Sequence, residues 1–166
     1  MEEWKKVQLF DRYSVSELGE VRNDETGHIL KILRNQHGVC YVGLMRGQQQ
    51  LRRSVALLVA HAFVAPPQSF QKRSFDRVIH LDGQQENNRA HNLLWRPHWF
   101  AMKYTAQFKV GPTVAQPVMD LDSHERYSCP WIAALSFGLL EKEVIVSGMR
   151  RTFVWPTYQQ FRFLEE

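Results

Sequence analysis

Apolar and polar residues alternate with a period near two over most of the first 66 positions, the spacing of short, half-buried strands. RYSVSELGEVRN alternates on both sides of Gly19, which punctuates it as a turn. HILKIL and VCYVGLM read as further strands, separated by Asn35-Gln36-His37-Gly38. Gly47 predicts a hairpin turn between VGLM and the basic LRRSV. The period then lengthens. SVALLVAHAF sets Ala, Leu and Val at helical spacing, and Pro66-Pro67 ends that helix.

A polar, basic loop from Gln68 to Asp76 leads into a predicted strand, Arg77 to Leu81. Asp82-Gly83 then supplies a tight turn, because glycine tolerates positive φ and aspartate can cap its own backbone. The amides of Asn87-Asn88 suit bonding to the loop backbone. Leu93, Leu94 and Trp95 plug a core, and His98 to Phe108 is the expected helix. After Gly111-Pro112, AQPVMDLDSHERYS predicts a hairpin turning at Asp122-Ser123-His124. Pro130 suits the first turn of a helix Trp131 to Phe137, Gly138 breaks it, and Glu141 to Val146 is a second short helix. The reading is an α+β chain in three modules: a β-rich 1–66, a central 67–109, and a hairpin-plus-helices 110–166.

Composition narrows the class. With 166 residues, 44% hydrophobic and 12% aromatic, the chain can bury one sizeable core or a few small modules. A net charge of +4 and a sequence pI near 9.2 favour polyanionic partners. The longest apolar run, Val55 to Ala65, is interrupted by His61 and is too short to span a bilayer. MEEWKKVQLF has acidic residues where an export signal has a basic start, so the expectation is a cytoplasmic protein of a bacterial or phage-infected cell, with no membrane partner. Cys40 and Cys129 stand apart without a CxxC pair, which excludes a cysteine-rich zinc knuckle and predicts two reduced thiols.

VIHLDGQQENNRAHNLLW, residues 78 to 95, holds a histidine, an HxDG turn, an Asn pair and an NLxW segment at fixed offsets. It resembles the ββα-metal core of HNH nucleases of phages and mobile introns. Trp4, Tyr13, Val15, Ser16, Gly19, Val21-Arg22 and the LVAHAF helix resemble the module that precedes this core in phage homing endonucleases. The two short helices around Gly138 resemble, more loosely, their C-terminal helix-turn-helix modules.

The resemblance implies roles. His80 takes the position of the general base and Asn92 that of the middle Asn, which holds the loop. Two side chains should hold a divalent cation, usually Mg²⁺, but Ile79 and Ala101 occupy those positions. Neither offers an oxygen or imidazole to a hard cation. Ala56 and Leu57 stand where the preceding module usually carries a His-Arg pair. The favoured reading is therefore a nucleic-acid-binding protein derived from an HNH endonuclease, its metal site lost and no cofactor expected. It would act by binding DNA, in preference to RNA, or a phage, host or ribonucleoprotein partner. The alternative is an active endonuclease using Mg²⁺ or another divalent cation through substitute ligands, Asp82 and His98. Candidate phosphate contacts are Arg46, Arg52, Arg53, Lys72, Arg73, Arg77 and Lys103. Trp4, Trp95 and Trp155 fit core roles, while Trp99 and Phe100, at a helix start, suit stacking on a nucleotide or packing.

Overall fold

The computed structural model describes residues 2–68 and 74–165. Lys72 and Arg73 lie outside the described residues. The chain divides into two compact units at the His98–Trp99 junction. The described residues form a mixed α+β structure of small antiparallel sheets and four α-helices.

In the first unit, β1 (Trp4–Lys6), β2 (Tyr13–Ser16) and β3 (Val21–Asn23) form one antiparallel sheet. A second contains β4 (Leu33–Arg34), β5 (Cys40–Arg46) and β6 (Gln49–Ser54), the last two joined through Gly47 at φ +63°. Alternation on β5 puts Cys40, Val42 and Leu44 inside, with Val15, Val21 and the inner face of α1 (Val55–Phe63). That helix stops at Phe63, short of Pro66, as the sequence predicts. HILKIL is a correction. Only Leu33–Arg34 is a strand, and Ile29 contributes an isolated bridge to Arg22, because most of the segment is solvent-exposed.

A two-stranded ribbon completes this unit: β7 (Arg77–His80) pairs antiparallel with β8 (Leu93–Arg96). Leu81 still donates its N–H to the Asn92 carbonyl at 2.8 Å, so the ribbon closes one residue beyond the strand. Leu93 packs in the core with α1, which fixes which face of the ribbon is inward.

The second unit contains most of α2 (His98–Val110), which runs two residues past the expected end. The predicted hairpin is β9 (Val118–Asp120) with β10 (Arg126–Tyr127). Buried Asp120 closes its turn, accepting from the Asp122 N–H and the Ser123 hydroxyl. Pro130 opens α3 (Pro130–Phe137) and Gly138 ends it at φ +62°, as expected. The next helix, α4 (Glu141–Arg150), is a full turn longer than predicted. A strand the sequence does not announce, β11 (Phe161–Phe163), pairs with β9. Val118, Ala133, Ala134, Leu139, Val144 and Phe161 form the core. Among the described residues no helix is long and apolar enough to cross a membrane.

Candidate active site and nucleic-acid interface

His80 ends β7 and is 6% exposed. Cross-strand pairing sets it opposite Leu93, on the face that also carries Val78 and Trp95. Its Nε2 lies 2.9 Å from Oδ1 of Asn88, itself buried. The amide is oriented by its Nδ2, which donates to the Glu86 carbonyl at 3.4 Å. An amide oxygen only accepts, so the neutral ring donates from Nε2 and keeps a lone pair on Nδ1. Burial draws the ring's pKa below its ordinary 6.5, against the opposing pull of the Asn88 bond and the Asp82 charge. At neutral pH the ring is an oriented, uncharged base.

The turn after His80 is held by Asp82. Its Oδ1 accepts from the Gln84 N–H and from Asn92 Nδ2, each at 2.9 Å, and its Oδ2 accepts from Asn87 Nδ2 at 2.7 Å. Burial pushes the acidity of Asp82 one way, but these donors, with His80, outweigh it and hold the carboxyl below its usual value of 3.8. Asn92 also donates to the Asn87 carbonyl at 2.9 Å and accepts the Asp82 N–H at 3.1 Å. Asn92 thus holds the loop, while the ring of His80 is held by Asn88, a pairing that sequence reasoning did not assign. The neighbouring Asn pair was its only visible signal.

Ile79 points to the other face of the ribbon. It is 2% exposed and sits opposite Leu94, and Arg77 faces Arg96 on the same side. Ala101 lies on α2, three residues after the exposed His98. Among the described residues no group of three or more His, Cys, Asp and Glu side chains is placed to hold a metal ion.

Beside His80 lies a cavity of about 270 Å³, lined among others by Cys40, Ala56, Leu57, Arg77, Gln85 and Asn88. Ala56 and Leu57 therefore make an apolar wall next to the ring.

The candidate phosphate contacts among the described residues stand on different elements. On β6, Arg52 lies over the Tyr41 ring at 4.8 Å, and its neighbour Arg53 on the opposite face lies over Phe10 at 5.2 Å. Arg46 is exposed near the hairpin tip, and Arg77 is exposed at the start of β7. In the second unit Lys103 reaches over Trp99 at 5.3 Å. Trp99 is half-exposed and stacks on Trp155 at 5.2 Å. Phe100 is 1% exposed, so it packs in the protein and does not stack on a nucleotide.

The motif residues of the N-terminal module have local reasons. The Arg22 guanidinium covers Trp4 at 4.3 Å, and Tyr13 Oη accepts the Met45 N–H at 3.2 Å. Ser16 Oγ accepts from the Leu18 and Glu20 N–H groups, closing the turn at Gly19, whose φ is +95°. Residues 2–45 match the NUMOD4 motif. Over 92 residues the chain is 35% identical to an uncharacterized HNH endonuclease of Acanthamoeba polyphaga mimivirus, an alignment that takes in 55% of this chain and 26% of the viral protein. The fold is similar to that of the HNH homing endonuclease I-HmuI, whose structure describes DNA binding and cleavage by that enzyme. The TM-score is 0.56, over 99% of both chains at 22% identity. The chain is an HNH homing-endonuclease-like protein. It spans about a quarter of the length of its curated viral relative. In this HNH-like setting, His80 and the loop of Asp82, Asn88 and Asn92 form the candidate active site.

Proposed function

We propose that this HNH-like chain binds DNA and does not cleave it. The observation that carries the reading is the ribbon face beside the base. Where an HNH enzyme would present a cation ligand, it presents Ile79 against Leu94, flanked by Arg77 and Arg96. Hydrocarbon and guanidinium give a divalent cation nothing to bind and a charge to avoid. Ala101, at the helix position the family uses, adds no donor. Asp82, the carboxylate nearest to His80 in sequence, already accepts three hydrogen bonds and serves the turn. The residues present do not fit the metal.

Binding rests on the net charge of +4 and on exposed Arg46, Arg52, Arg77 and Lys103. Lys72 and Arg73, just before the ribbon, join the proposed phosphate contacts. One observation favours the alternative reading, an endonuclease with moved ligands: His80 is still neutral and oriented as a general base requires.

A plasmid-nicking assay, paired with titration of Mg²⁺ and Mn²⁺ into the same sample, decides between them. Binding of duplex DNA with no nicking and no metal uptake is expected. Metal-dependent nicking that vanishes in His80→Ala would overturn the proposal. Loss of the charges in Lys72→Gln/Arg73→Gln/Arg77→Gln should weaken DNA binding, and unchanged affinity would point to a protein partner instead.

A further inference from the structure

A side chain at Gly19 would crowd Asn88. A Cβ there would lie 3.1 Å from Asn88 Cβ and 3.2 Å from the Asn88 carbonyl oxygen. Its turn is tightly made: Ser16 Oγ takes two backbone N–H groups and the Gly19 N–H returns to the Ser16 carbonyl at 3.1 Å. From the same turn, the Glu17 carbonyl accepts the Ala90 N–H at 2.8 Å. The turn therefore grips the loop on both sides of Arg89, by packing at Asn88 and by a hydrogen bond at Ala90. An ion pair between Arg34 and Glu86 adds a further link from the same module.

Asn88 is the residue whose amide holds the His80 ring. It is 4% exposed, so it has little freedom to shift without its packing partner moving. Residues 16–20 fall inside the stretch that matches the NUMOD4 motif, far from His80 in the sequence.

We infer that the Ser16–Glu20 turn of the N-terminal module is the support that sets the His80 ring, with Gly19 and Asn88 as positioning residues. The relay is short: the turn leaves space at Gly19 that Asn88 borders, and Asn88 holds Nε2. It concerns where the ring points, so it stands whether or not the chain cleaves DNA. Whatever engages residues 16–20 also acts on the ring.

The test compares Gly19→Ala with Gly27→Ala. Gly27 has φ +71° and a Cβ there meets nothing within 4 Å. Both substitutions carry the left-handed backbone penalty, and Gly19→Ala alone also presses on Asn88. Imidazole ¹⁵N spectra of the full chain read the ring. Wild type should show one tautomer, protonated at Nε2. Gly19→Ala and Asn88→Ala should both shift His80 towards a tautomer mixture, and Gly27→Ala should leave it unchanged. A folded Gly19→Ala with the wild-type His80 signature sinks the idea, as does an equal disturbance in Gly27→Ala. Should Gly19→Ala not fold, native-state hydrogen exchange on wild type decides. The Leu81 and Ala90 amides must then open together with Ser16 and Gly19; a loop that opens alone at lower free energy refutes the support.

Discussion

Asp82 and Asn92 are bonded to each other in both directions: the Asp82 N–H donates to Asn92 Oδ1, and Asn92 Nδ2 donates to Asp82 Oδ1. The reciprocal pair joins the second residue beyond the ribbon's first strand to the residue just before its second. Asn92→Ala removes three hydrogen bonds at a buried position and should cost about 2–4 kcal/mol of stability. Asn92→Asp keeps the shape but sets two carboxylates face to face, and should cost no less. Both are read from the urea midpoint and from exchange of the Leu81 and Asp82 amides. Wild-type stability in Asn92→Asp would show that Asp82 is not the charged centre of this loop.

The site should also leave a trace in the pH dependence of folding. His80 titrates below 6.5 when folded, so as pH falls under 6.5 the unfolded chain takes up a proton that the folded chain refuses. Stability present above that pH declines until the folded pKa is reached. Asp82 and Asp24 act later. Their folded values lie below 3.8, with Asp24 held at about 2 by Lys6, Ser14 and Arg22, and their contribution is lost as pH falls through those values. In His80→Gln, the decline that begins at 6.5 should shrink while the acid limb remains. An identical profile in wild type and variant would show that the ring is not buried as described.

Adjacent arginines on β6 should separate binding from folding. Arg52 is exposed over Tyr41, so Arg52→Gln should lower the slope of log affinity against log salt by about 0.9, with unchanged Tm. Arg53 faces inward over Phe10 and also donates to the Arg52 carbonyl at 2.9 Å. Arg53→Gln should therefore cost about 0.5–1 kcal/mol of stability from the ring contact. Fluorescence anisotropy over a salt series, with thermal melts alongside, measures both. Equal effects of the two variants would mean that the faces are not distinct in solution.

The second unit has its own pressure point at Gly148 on α4. A Cβ there would stand 2.7 Å from the ring of Phe163 on β11. Gly148→Ala should destabilise this unit by about 1–3 kcal/mol through overpacking. Phe163→Leu in the same chain should recover part of the loss. If Gly148→Ala melts like wild type, α4 and β11 do not approach as closely as the structure has them.

Features set by local chemistry were legible in the sequence. The Gly19 turn, the Gly47 hairpin, the Pro66 stop and the Pro130–Gly138 helix each depend on residues a few positions apart. The HxDG segment was legible as a turn for the same reason, with Asp82 capping its own backbone at Gln84. Relationships over longer spans were not. β11 pairs with β9 across two helices, and three residues of FRF give no periodicity to detect. Leu33–Arg34 is short because solvent, and not a core, lies over most of HILKIL. The grip of Asn88 on His80 depends on a buried amide rotamer, which only the folded loop defines.

The apolar wall of Ala56 and Leu57 has a consequence for solvent. Mg²⁺ sheds its hydration shell reluctantly and usually keeps several waters when it binds. Those coordinated waters are strong donors and need acceptors in the surrounding walls. Methyl and isobutyl groups offer none, so in this cavity outer-sphere contacts to such waters fall to the polar part of the lining, such as Gln85. Adding one ligand to the ribbon would leave that apolar side unchanged. On the proposed reading, holding an ion here would take polar groups in that wall as well as a ligand on the ribbon.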